Sequence, residues 1–73
     1  MPWSTKLIYT MHARKQMHDR AISEAEVESC WSDHHTTYTD KKGNQNYIAD
    51  VNNRRIKVVV AKDNPNLIIT AAD

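Results

Sequence analysis

The sequence predicts an α+β domain in which two N-terminal helices pack on one face of a four-stranded antiparallel meander. Three observations point there. Apolar residues before position 33 recur at three-to-four spacing, those after it alternate with period two, and stretches rich in Asn, Gly and Pro separate four apolar runs. All 73 residues are expected in one domain. A chain of this length buries only roughly 60% of the surface its unfolded form exposes, so its core is thin and a monomer and a small homo-oligomer both stay open.

Residues 1–9 end in Leu7-Ile8-Tyr9, which is too short to classify as a brief edge strand or an anchored arm. The first helix follows over residues 10–22. Thr10 is its N-cap, and Tyr9, Ala13, Met17 and Ala21 make an apolar stripe at four-residue intervals. His12, Gln16 and Arg20 make an adjacent polar stripe, with Arg14, Lys15 and His18 further round toward solvent. Ser23 and Glu26 then form a capping box, stapled by Ile22 and Val27, so a second helix starts at Ser23. It buries Val27, Cys30 and Trp31 and shows Glu24 and Glu28 to water. Trp3 is expected in the core or at a dimer contact.

Strands are predicted over residues 34–40, 45–52, 55–62 and 67–72. Gly43 supplies a positive φ, Asn52-Asn53 a two-residue hairpin turn, and residues 63–66 a four-residue loop. The Asn52-Asn53 turn sets Val51 against Arg54, Asp50 against Arg55, Ala49 against Ile56, Ile48 against Lys57 and Tyr47 against Val58. Carried through the last loop, the register sets Val60 against Ile69 and Val59 against Thr70. Helices then cover Tyr47, Ala49, Val51, Ile56, Val58 and Val60. The uncovered face collects Asp50, Arg55, Lys57 and Thr70 among Ile48, Val59 and Ile68, a surface suited to an anionic ligand. On the plainer reading it is the wet side of a one-sided sheet, with Asp50 and Arg55 a cross-strand ion pair.

Ten Lys and Arg against nine Asp and Glu give a formal charge of +1, which argues against bulk coating of nucleic acid. The charge is segregated nonetheless: residues 24–33 hold four acids and no cation. No segment approaches the ~20 apolar residues of a membrane span, and the start lacks the apolar run of a secretory signal. A soluble cytoplasmic protein without membrane contact is therefore expected. The lone Cys30 permits no intrachain disulfide. His34 and His35 are adjacent on a strand and point to opposite faces, so no metal site is expected.

His12 sits at the positive end of the first helix, where an imidazole tends to stay neutral and can accept a proton. His12-Ala13, Met17, Arg20, Ile22-Ser23, a Val-rich strand with Lys57 and a closing Ile68-Ile69-Thr70 together resemble the small bacterial family called domain of unknown function 4258. The resemblance spans residues 10–72. It implies a RelE/barnase-like fold and a metal-independent endoribonuclease, often a toxin with a cognate antitoxin, needing no cofactor. It also implies catalytic roles for His12, Arg20, Lys57 and Thr70; Arg14 and Arg55 are further candidates to hold substrate. Cleavage through the ribose 2′-hydroxyl needs a base, a cationic phosphate clamp and an acid for the leaving oxygen. His12 would serve as base or acid, Arg20, Arg55 and Lys57 as clamp, and Thr70 as a positioning donor. The chain departs from the family pattern at Gln16, where many members carry Arg, and at Ala21, where they carry Gly. Three classes of function follow: an RNase, a silent module of the same fold recognising a protein or RNA, and a nucleic-acid binder without cleavage.

Overall fold

The computed structural model describes residues 7–73. Trp3 therefore lies outside the described residues. The elements run β1 (Ile8–Tyr9), α1 (Met11–Arg20), α2 (Glu24–Ser32), β2 (Thr36–Thr39), β3 (Gln45–Val51), β4 (Arg54–Ala61) and β5 (Asn64–Ala72).

The sheet corrects the expected fold class. It has five strands in the order β1-β5-β4-β3-β2, and β1 runs parallel to β5, so the sheet is mixed rather than a four-stranded antiparallel meander of RelE/barnase type. The cause lies in Leu7-Ile8-Tyr9. Ile8 pairs with Leu67 and Tyr9 with Ile68, closing part of the β5 edge that would otherwise face water.

Between β3 and β4 the observed pairs are those that the Asn52-Asn53 turn dictates, from Val51 with Arg54 to Tyr47 with Val58. Both turn residues have positive φ, 54° and 67°, as a type I′ hairpin requires. The β4–β5 pairing differs from expectation at one end. Val59 does face Thr70, but Val60 faces Ile68, and Ala61 faces Asn64 across a tight turn at Lys62 and Asp63 rather than a four-residue loop. Register shifts on either side of Val60 absorb the extra residues of β5. Ile68 consequently turns inward and is fully buried, whereas the sequence register had placed it on the open face.

Ala13, Met17, Ile22, Val27 and Cys30 from the helical half meet Ala49, Ile56, Val58, Val60, Ile68 and Ala71 in one core. Both helix starts are capped through side chains, Thr10 accepting from Ala13 N at 3.1 Å and Ser23 forming the complete capping box with Glu26. At the other end of α1, Ile22 N donates to Met17 O and Ala21 N to His18 O, a Schellman closure with Ala21 at φ 55° and ψ 46°. Arg54 completes the joint. Its guanidinium donates to the Arg20 and Ala21 carbonyls and to the carboxylates of Glu26 and Asp73.

The Glu26 carboxyl is held below its ordinary range first by the Ser23 backbone N–H, against some cost of burial, and then by Asn52 and Arg54. Its contribution to stability is thus present at neutral pH and lost only as pH falls through that lowered pKa. Replacing Arg54→Met should cost about 2 kcal/mol by leaving charged acceptors unpaired, and should flatten the acid side of a plot of urea-unfolding free energy against pH. Replacing Ala21→Gly should stabilise by about 0.5–1 kcal/mol in the same assay, because an L side chain is penalised in the left-handed region.

Candidate functional site

Both helices lie against one face of the sheet, which leaves the other open, and a hollow of about 450 Å³ sits on that open side. Its lining comes from four neighbouring strands and a turn: Tyr38 from β2, Asn46 from β3, Lys57 and Val59 from β4, Ile69 and Thr70 from β5, with Asp40, Lys41, Lys42 and Asn44 at one end. The β3–β4 and β4–β5 registers place Lys57 and Thr70 here as diagonal neighbours, since Lys57 faces Ala72 and Val59 faces Thr70.

The turn that supplies the lysines is built on Asp40. Its Oδ1 accepts from Lys42 N and Asn44 N, both at 2.9 Å, and its Oδ2 from the Asn46 side chain at 3.4 Å. Burial raises the Asp40 pKa, but the donors Asn44, Asn46 and Lys42 and the Lys42 charge outweigh it and hold the carboxyl below its ordinary value. Gly43 turns the chain at φ 87°, where a Cβ would press on the Lys62 side chain at 3.0 Å. Asp40 is thus occupied in shaping the wall.

The expected site residues separate into two groups. Lys57 and Thr70 share the hollow, and Lys57 Nζ stands 5.7 Å from the centroid of the Tyr38 ring. The arginines are paired elsewhere: Arg14 with Glu24 and over the Tyr9 ring, Arg20 with Asp73 at 3.4 Å, Arg55 with Asp50 at 3.5 Å. Arg54 binds Glu26 and Asp73. Among the described residues every arginine has a carboxylate partner, whereas of the lysines only Lys15 does, with Asp19. Three of the four remaining lysines, Lys41, Lys42 and Lys57, line the hollow. Tyr38, Lys41, Lys42 and Asn46 are lining residues that no motif in the sequence marks.

His12 is exposed and lies outside the lining of the hollow. Its height along the sheet follows from the neighbouring contacts of α1. Thr10 N donates to Ile68 O at 3.0 Å, Gln16 Oε1 accepts from Ala71 N at 3.3 Å, and Arg20 bonds Asp73. Four helical residues advance about 6 Å and two strand residues about 6.6 Å, so α1 keeps step with the β5 edge. By the same step His12, one turn before Gln16, is level with Ile69 along β5 and outside the hollow that Thr70 lines.

Residues 9–73 match the family described as Domain of unknown function (DUF4258). The chain belongs to DUF4258. No curated protein and no solved structure matches it. The DUF4258 domain holds no cluster of three or more His, Cys, Asp or Glu side chains arranged for a metal among its described residues, and none of its described helices is long and apolar enough to cross a membrane. His34 instead stacks on Tyr47 at 4.3 Å, and His35 Nε2 accepts from Asp50 N. Cys30 is buried and its thiol is pushed up to about 11 by that burial, against the Ala49 and Val58 backbone, so it is a packing residue of the domain and not a nucleophile.

Gln16 has a structural task in this DUF4258 chain, as the acceptor for the Ala71 N–H beyond the reach of β1. Gln16→Ala and Gln16→Arg should each cost about 1 kcal/mol in urea denaturation. Gln16→Glu keeps an acceptor and should cost less than either.

Proposed function

We propose that this domain binds RNA through the open sheet face, with backbone phosphates held by Lys41, Lys42 and Lys57 and oriented by the Thr70 hydroxyl. The observation that carries this reading is the charge pattern: three of the four described lysines without a carboxylate partner gather at one hollow, while the arginines are already neutralised. An ammonium free of a carboxylate can exchange its counterions for phosphate and gain the entropy of their release. The arginines therefore stand outside the proposed site.

Metal-independent endoribonuclease activity is a second reading, favoured by the step of α1 along β5 that brings the His12 level with Ile69. In it His12 takes the proton of the 2′-hydroxyl as that oxygen bonds to phosphorus, the P–O5′ bond breaks, and the leaving 5′-oxygen takes a proton from water; Lys57 offsets charge growing on the phosphate, and Thr70 donates a hydrogen bond to a phosphate oxygen.

Affinity for single-stranded RNA, measured by fluorescence anisotropy across a salt series, should fall with a slope of about −2 in log K against log salt, the value for three phosphate contacts at about −0.7 each. Lys57→Gln should reduce that slope by about 0.7. A salt-independent interaction, or a slope unchanged in Lys57→Gln, contradicts the binding reading. Incubation with RNA in EDTA tests cleavage: products ending in cyclic phosphate that vanish in His12→Ala are expected, and intact RNA at saturating protein contradicts it.

A further inference from the structure

Tyr38 is a large aromatic side chain left exposed at the edge of the sheet. It lies on β2, an edge strand whose four residues are all exposed, and 42% of its surface meets solvent. Its neighbours Thr36, Thr37 and Thr39 show the residue type that suffices for such a strand. Lys57 Nζ stands over one face of the ring, within the roughly 6 Å range of cation–π attraction, so the ring and the ammonium are held as a unit at the hollow. Asn44 and Asn46 lie in the same lining.

We infer that Tyr38 and Lys57 form a subsite for one unstacked nucleotide, with the base on the Tyr38 ring and its phosphate at Lys57. The inference rests on the RNA-binding reading and deepens it by naming the class of RNA: single-stranded rather than duplex. The combination of an aromatic platform beside a cationic track is what recognition of single strands requires, because every base has a π-face to stack. An A-form duplex keeps its bases stacked and offers phosphates and 2′-hydroxyls instead, which Tyr38 cannot use in this way. Val59 and Ile69 also line the hollow, and their apolar surface suits the flat side of a base. Asp40 keeps its negative charge at one end of the lining, where Lys41, Lys42 and Lys57 outnumber it, and its oxygens are turned to Lys42 N, Asn44 N and the Asn46 amide.

Three probes separate base recognition from charge: a short single-stranded oligouridylate, an abasic phosphodiester chain of equal length, and a duplex RNA of equal length. The wild-type domain should bind oligouridylate roughly 5- to 150-fold more tightly than the abasic chain, the worth of one base–aromatic stack. Tyr38→Thr, which keeps the strand composition, should abolish that gap, and Tyr38→Phe should preserve it; far-UV circular dichroism of both variants establishes that the fold is kept. Equal binding of all three probes with a Lys57-dependent salt slope would overturn the subsite while leaving phosphate binding intact. A gap that survives in folded Tyr38→Thr would also overturn it. Absence of salt-dependent binding to any probe would overturn the RNA-binding reading and the subsite together.

Discussion

Strand β5 is the rail on which the rest of this fold is laid. One of its edges carries the antiparallel bonds to β4, and the other is shared between two residues of β1 and the length of α1. Thr10 N at Ile68 O and Gln16 at Ala71 N satisfy backbone groups along that second edge, and the side-chain pair of Arg20 and Asp73 ties the end of α1 just past the end of the strand. Because α1 is tethered there and α2 follows it through the closure at Ala21 and Ile22, both helices fall on the same side of the sheet. The opposite side stays uncovered.

A one-sided sheet in so small a domain leaves its wet face to be filled by composition alone, and the composition is uneven. Asp50 and Arg55 neutralise each other at one end, while at the other Lys57, Lys41 and Lys42 share the hollow with a single acid, Asp40. The Arg54 cluster explains where the acids went: Glu26 and Asp73 are drawn to the joint between α1, α2, β4 and the end of β5. A formal charge of +1 thus conceals a local excess of positive charge, which is the quantity that acts on a phosphate.

Much of this was legible before the coordinates, and what was not has identifiable causes. The Asn52-Asn53 turn fixed the β3–β4 register because only residues tolerant of positive φ suit a two-residue hairpin, and that register put Lys57 on the open face. The capping box at Ser23 and Glu26 was equally explicit. A two-residue strand such as β1 carries no period at all, so the mixed sheet could not be read. The shifts beside Val60 were hidden for a similar reason: the run Leu67-Ile68-Ile69 is apolar throughout, and its alternation cannot say which residue is the extra one. The arginines misled because their partners are distant in sequence. Arg20 and Asp73 meet only after the chain has folded, and Lys41 and Lys42 share a hollow with Lys57 only once the Asp40 turn has formed.

The central claim is that the open sheet face, and not the helical face, is the nucleic-acid surface. Amide chemical-shift mapping by NMR during titration with a single-stranded oligouridylate tests it most directly. Saturable shifts gathered at Tyr38, Lys41, Lys42, Lys57 and Thr70, with Glu24 and Glu28 unmoved, are the predicted result. Shifts confined to α2, or no shifts at saturating oligonucleotide, would contradict it.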